Sequence, residues 1–158
     1  MLETVLRPSK DEYYLNIAKI IHTRSTCLRR HYGAVLVNND EIVATGYNGA
    51  PRGIANCNEV GVCLRQQLGL KSGERYELCK SLHAEDNAIT SAGRTRCQGA
   101  TLYLAGEVVE TGELANPLPC LMCARKIINA GISRIVGLFP DGSIKEINVE
   151  NIVNSVNK

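Results

Sequence analysis

Ser81-Leu82-His83-Ala84-Glu85 and Pro119-Cys120-Leu121-Met122-Cys123 are the stretches on which the reading of this chain turns. Together they spell H-x-E followed by P-C-x-x-C. One imidazole and two thiols are three ligands suited to tetrahedral zinc with the fourth position left open. An open position can hold water and lower its pKa toward neutrality. After His83, the apolar residues Ala84, Ala88, Ile89 and Ala92 recur with helical period, which predicts a helix opened by Ser81. Cys120 and Cys123 are three apart and share one face of a helix, and Pro119 before them is a helix-start signal. Both ligand sets therefore fall at helix N-termini, where the partial positive charge favours thiolates. Glu85, two residues from His83, reads as an unligated proton shuttle. The alternative is a structural zinc knuckle with its fourth ligand elsewhere and Glu85 a solvated helix residue. The combination of H-x-E with a proline before C-x-x-C favours catalysis.

The rest of the chain has the size to support such a site. Its 158 residues suit one domain, 1–158, with a real core. Net charge is only +2 and no basic block occurs, which argues against a nucleic-acid partner held through its phosphate backbone. A single phosphate on a small ligand is compatible. No apolar run reaches transmembrane length, and Met1 to Lys10 lacks a signal-peptide core, so the expectation is a cytoplasmic protein without a membrane partner. In that compartment the seven cysteines are not expected to form disulfides.

Taken in order, residues 11–23 carry Tyr14, Ile17, Ala18, Ile20 and Ile21 on one stripe and predict an amphipathic helix capped by Ser9. His22 is expected at the surface of its end. Gly33 to Val37 and Glu41 to Gly46 predict a hairpin turning at Asn38-Asn39-Asp40. Gly46-Tyr47-Asn48-Gly49-Ala50-Pro51 is a tight turn, where Asn48 either meets the edge of a base or sugar or fills a left-handed backbone position. From Ile54 to Leu82 periodicity is weak, and a stretch this long needs its own organising device. Cys57, Cys63 and Cys79 lie in it. With Cys27 they supply four thiolates for a closed structural zinc, or else four independent small apolar side chains.

Further on, Gly93 to Gly99 reads as a basic turn and Ala100 to Leu104 as a strand. Gly106 to Pro119 reads as a loop that must fold back or form a small hairpin to deliver Cys120. Cys120 to Ala130 is a helix stopped at Gly131 in a left-handed cap. Arg134 to Phe139 is a fourth strand, and Asn148 to Val156 a last helix.

These residues carry a resemblance. H-x-E with P-C-x-x-C is the signature of the zinc nucleobase deaminases. The chain resembles the cytidine deaminase superfamily, and within it the deoxycytidylate (dCMP) deaminase family. The matching pieces are Arg24-Ser25-Thr26-Cys27, Gly33-Ala34-Val35, Tyr47-Asn48-Gly49-Ala50-Pro51, His83-Ala84-Glu85-Asp86-Asn87-Ala88-Ile89, Leu102-Tyr103, Pro119 to Cys123, and Asn129-Ala130-Gly131-Ile132. The resemblance implies a three-layer α/β/α fold with a mixed sheet of about five strands. It implies His83, Cys120 and Cys123 as zinc ligands, Glu85 as the proton shuttle and Asn48 as a nucleoside contact. Some members carry a second zinc at the positions of Cys27, Cys57 and Cys79. A homo-oligomer with pockets near subunit contacts is also implied.

The expected reaction is hydrolytic deamination of dCMP to dUMP with release of ammonia. Arg29, on the loop before the first strand, is the first choice for the 5′-phosphate, with Arg52 and Arg94 as alternatives. The rivals are a tRNA adenosine deaminase, which also uses H-A-E and P-C-x-M-C, and a catalytically silent zinc-bound nucleotide-binding protein. Two departures from the family stand out: Ala105 to Leu118 is longer than usual, and Tyr32 replaces a common aliphatic residue before Gly-Ala-Val.

Overall fold

A computed structural model describes residues 6–157, so the reading over Met1 to Val5 lies outside the described residues. Strands β1 (Arg30–Asn38) and β2 (Glu41–Tyr47) form the expected hairpin. Asn39 and Asp40 turn it with positive φ, which short polar side chains tolerate. Strand β3 (Thr101–Val108) pairs antiparallel with β1 and parallel with β4 (Arg134–Leu138), and β5 (Ile144–Glu146) closes the sheet in the order β2-β1-β3-β4-β5. The sheet is mixed and five-stranded, as expected. Ala34 and Leu36 of β1 face one side, and Val35 and Val37 the other. A strand buried on both faces reads as the continuous apolar run seen in the sequence.

Helix α1 (Lys10–His22) covers one face, with Tyr14, Leu15 and Ala18 packed on Val35, Tyr103 and Val136. Ser9 caps it in a complete capping box with Glu12. Tyr14 donates to Asp40 Oδ1 (2.7 Å) and so ties the helix to the β1–β2 turn. Asp11 takes a bidentate ion pair from Arg134 (2.8 Å each), which holds its carboxyl below the ordinary carboxylate range. His22 is not at the surface as expected. It is buried, with Nδ1 lacking a partner among the described residues, and burial pushes its pKa down.

The opposite face carries α4 (Ala84–Cys97), α5 (Leu121–Asn129) and α6 (Val149–Asn154), packed through Ala88, Ala92, Ala124, Ile127 and Val149. These two covered faces make the three layers. Small residues let α4 sit close to the sheet. A Cβ on Gly46 of β2 would stand 2.2 Å from Ala84 O and 2.6 Å from Ala88 N. That contact fixes where the start of α4 rests.

Gly93 to Gly99 is not the expected turn: α4 continues to Cys97 through a kink at Gly93 (φ 71°, ψ 159°). Gly106 does not begin a loop. β3 runs on to Val108, and bonds from Val108 N to Glu113 O (2.8 Å) and from Ala115 N to Gly106 O (2.9 Å) make the small hairpin that carries the chain toward Cys120. β5, a three-residue exposed strand, was not expected. The long Ile54–Leu82 stretch holds only short pieces: α2 (Cys57–Val60), α3 (Leu64–Gln67) and a 3₁₀ turn at Tyr76–Leu78. Among the described residues no helix is long and apolar enough to cross a membrane.

Candidate active site

His83 is the N-cap of α4 and Cys120 the N-cap of α5, both with extended backbone, so two helix starts converge. His83, not Ser81, caps α4; Ser81 lies buried just before it, 3.9 Å from Cys57 Sγ. His83 Nδ1 lies 3.4 Å from Cys120 Sγ and 3.4 Å from Cys123 Sγ. In a zinc tetrahedron with Zn–S of about 2.3 Å and Zn–N of about 2.0 Å, the N···S edge is about 3.5 Å, so the three atoms stand as ligands to one ion would. Among the described residues this is the only trio of His, Cys, Asp or Glu groups so gathered. The donor set of one imidazole and two thiols fits zinc and leaves a fourth position unfilled by these side chains.

The electrostatics favour thiolate at this point. Cys120 is pulled down to about 4, first by the hydrogen bond from the Cys123 side chain, then by His83 and the Cys123 N–H. The Cys123 N–H donates to Cys120 Sγ at 3.4 Å, as expected for a helix cap. Burial opposes charge on the His83 imidazole, yet the Cys120 sulfur and Glu85 outweigh it and hold its pKa above the ordinary 6.5. Glu85, in the first turn of α4, is only 8% exposed, and burial raises its carboxyl pKa against the pull of His83. A solvated helix residue, the alternative reading of Glu85, would be exposed.

The surroundings are stapled to the ligands. Gly49 and Leu82 exchange backbone bonds (Gly49 N to Leu82 O, 3.2 Å; Leu82 N to Gly49 O, 2.8 Å), which fastens the turn after β2 to the residue before His83. Asn87 Nδ2 donates to Tyr47 O (2.8 Å). Lys126 of α5 pairs with Asp86 of α4 at 2.5 Å, a partly exposed bridge of small energetic weight that still joins the two ligand-bearing helices.

Asn48 is buried and does not occupy a left-handed position. Its Oδ1 accepts from Ser25 Oγ (2.6 Å) and Tyr32 N (2.7 Å), and its Nδ2 donates to Arg30 O (2.8 Å). The side chain thus locks the turn to the head of β1. Arg29 Nη1 donates to Leu70 O (3.3 Å), in the irregular Ile54–Leu82 stretch. Cys57, Cys63 and Cys79 line one cavity of about 210 Å³ with Val60, Val62 and Arg65. Burial pushes the Cys79 thiol up, and Cys27 and Cys57 nearby add to the effect. Cys27 and Cys57 lie near Cys79 and Cys63 borders the same cavity, but no three of these sulfurs stand within 4.8 Å of one another as the atoms of the His83 trio do.

Tyr32 has a role that its type alone did not reveal. Its ring lies over Gly106, where a Cβ would come within 2.4 Å of it, and its hydroxyl donates to Asn116 O (2.8 Å). Burial, with Glu85 adding to it against Arg30, pushes its hydroxyl up to about 12, so it remains a donor. It thereby binds the lengthened hairpin to the floor of the site. Tyr76, in the weakly patterned Ile54–Leu82 stretch, reaches His83, and Arg65 from the same stretch lies over the Tyr76 ring. No local periodicity signals either.

A family model described as the cytidine and deoxycytidylate deaminase zinc-binding region matches residues 8–138. The chain belongs to that family. A deoxycytidylate deaminase of Mycobacterium phage D29 is 38% identical over 135 residues, spanning 82% of this chain and 94% of the phage protein. Those of Schizosaccharomyces pombe and Saccharomyces cerevisiae are 41% and 40% identical over 82% and 84% of this chain. The chain spans only 37% and 38% of the length of these two yeast relatives. Among solved structures, the dCMP deaminase of cyanophage S-TIM5 in complex with dCMP and dUMP superposes with a TM-score of 0.60. It is 23% identical, over 96% of this chain and 94% of that one, which shows the cytidine deaminase-like fold.

Proposed function

We propose that the chain is a zinc-dependent hydrolase that converts dCMP to dUMP and ammonia. The observation that carries this reading is His83 Nδ1 at 3.4 Å from both cysteine sulfurs with the buried Glu85 two residues on. Relatives sharing about 40% identity and named deoxycytidylate deaminases support the substrate. His83, Cys120 and Cys123 hold the zinc, which when bound supplies Lewis acidity at an open position. Glu85 accepts a proton from the attacking water and delivers it to N3 of the pyrimidine as oxygen bonds to C4. Glu85 then takes the remaining hydroxyl proton and gives it to the amino nitrogen. The C4–N bond breaks and ammonia leaves. One carboxylate accepts and donates within each cycle.

Asn48 borders the nucleoside in this reading, with its second amide hydrogen available beyond the Arg30 bond. Arg29, at the head of β1, is our candidate for the 5′-phosphate. The cavity shared by Cys57, Cys63 and Cys79, with Cys27 close by, supports a second, structural zinc. Residues 1–158 act as one catalytic domain. None of the seven cysteines is paired in a disulfide, which suits the cytoplasm. Exposed Leu118, Met122 and Ile128 around α5 suit a homo-oligomer.

Ammonia release from a panel of substrates tests the activity. We expect dCMP to react and to exceed deoxycytidine in kcat/KM by about tenfold or more, the worth of a charge-assisted phosphate contact. Equal rates would remove the phosphate contact. Release only from adenosine in tRNA, with strong salt dependence, would overturn the substrate assignment. Metal analysis should find two zinc per chain. A single zinc, unaffected by Cys63→Ser, would remove the four-cysteine site.

A further inference from the structure

A buried arginine in the irregular Ile54–Leu82 stretch organises the loop that touches a metal ligand. Arg65 is 6% exposed. A guanidinium at that depth is tolerated only when its donors are paired. Nε donates to Glu74 O (3.0 Å) and Nη2 to Lys71 O (2.5 Å), so the loop from 71 to 74 is wrapped around it. The guanidinium carbon lies 4.4 Å from the centroid of the Tyr76 ring. Tyr76 is held at its far end as well, because its hydroxyl accepts from the Gly73 N–H (3.0 Å). The residue before it, Arg75, takes a left-handed conformation (φ 48°) that a non-glycine residue adopts at a cost.

All of these restraints converge on one ring, and that ring stands against His83. The two centroids are 4.7 Å apart with the planes at 90°. Among the described residues the imidazole makes its other polar contacts through Nδ1, to the two sulfurs. Metal-binding histidines commonly have their second nitrogen held by a carboxylate or carbonyl that sets the ring orientation. In this chain an aromatic ring occupies the neighbourhood of that imidazole and is itself fixed on two sides.

We propose that Arg65 and Tyr76 are positioning residues that orient the His83 imidazole so that Nδ1 faces Cys120 and Cys123. The proposal rests on the reading of His83 as a zinc ligand. It gives the irregular Ile54–Leu82 stretch a task at the catalytic centre, carried by an arginine that also borders the cysteine-lined cavity.

The test is zinc affinity by chelator competition on the purified chain, together with the absorption bands of the cobalt(II)-substituted protein. Tyr76→Ala should weaken affinity about tenfold or more, the range for residues that orient a metal ligand, and should shift the cobalt bands. Arg65→Met should do the same. Tyr76→Phe keeps the ring and should stay within about threefold of the native protein. Leu68→Ala, on the same loop and 55% exposed, should change nothing. If Tyr76→Ala does not fold, Tyr76→Leu, which keeps bulk without the ring, decides in its place. Native affinity and unchanged cobalt bands in the ring-less variant would overturn the proposal. His83→Ala separates it from the reading beneath: a variant that still holds metal at this site as tightly as the native chain overturns the metal centre itself.

Discussion

Replacing Glu85 with Gln should leave zinc content unchanged and slow dCMP deamination by about 10²–10⁴-fold, the usual worth of a positioned general acid–base. Glutamine has the same shape and can still hydrogen-bond, but it neither accepts nor releases a proton at neutral pH. Glu85 lies outside the trio of His83, Cys120 and Cys123, so metal retention should survive the change. The combination of outcomes is what discriminates. A fall in rate accompanied by lost zinc would place Glu85 in the metal's support. Native turnover in the Glu85→Gln variant would refute its role as proton carrier. Burial makes the effect large, because water reaches the position poorly and is a weak substitute for the carboxylate.

Gly46→Ala should destabilise the protein by about 3 kcal/mol, the upper part of the range for overpacking a close contact. The added carbon would meet Ala84 O and Ala88 N, which are backbone atoms of α4 and cannot swing aside as a flexible side chain would. Relief requires the start of α4 to move away from β2. His83 and Glu85 ride on that start, so metal affinity should fall together with stability. Thermal unfolding of the zinc-loaded protein should show a decrease of roughly 10 °C for a domain of this size. A decrease below about 1 kcal/mol, the scale of an ordinary surface change, would mean that β2 and α4 do not pack so closely.

The site was legible in the sequence where its chemistry is local. His83 and Glu85 sit beside a helix start, and Cys120 and Cys123 are brought together by one turn, so spacing placed each pair, while the meeting of His83 with the two cysteines was expected from the combined motif. The Ser9 cap, the β1–β2 turn and the Gly131 cap (φ 80°) follow from short-range backbone preferences in the same way. What was illegible depends on contacts made across the fold. His22 looks like a helix-end surface residue, yet the packing of α1 on the sheet buries it. Gly93 and the basic residues after it look like a stop, but the chain passes through one kinked position and continues as helix to Cys97. β5 is three exposed residues that owe their strand form to β4. Arg65 is a charged residue in an unpatterned loop, and its burial follows from Lys71, Glu74 and Tyr76 closing around it. Asn48 was visible as important, but its buried hydrogen bonds make it a structural lock as well as a candidate nucleoside contact.

Diffraction recorded on both sides of the zinc absorption edge would locate the metal at the His83, Cys120 and Cys123 trio. An anomalous peak is expected, bonded at about 2.0–2.3 Å to His83 Nδ1, Cys120 Sγ and Cys123 Sγ. The fourth side of that ion should be free of protein and should face the Glu85 carboxylate. A fourth side chain closing the coordination, or Glu85 turned out into bulk solvent, would contradict the open catalytic site.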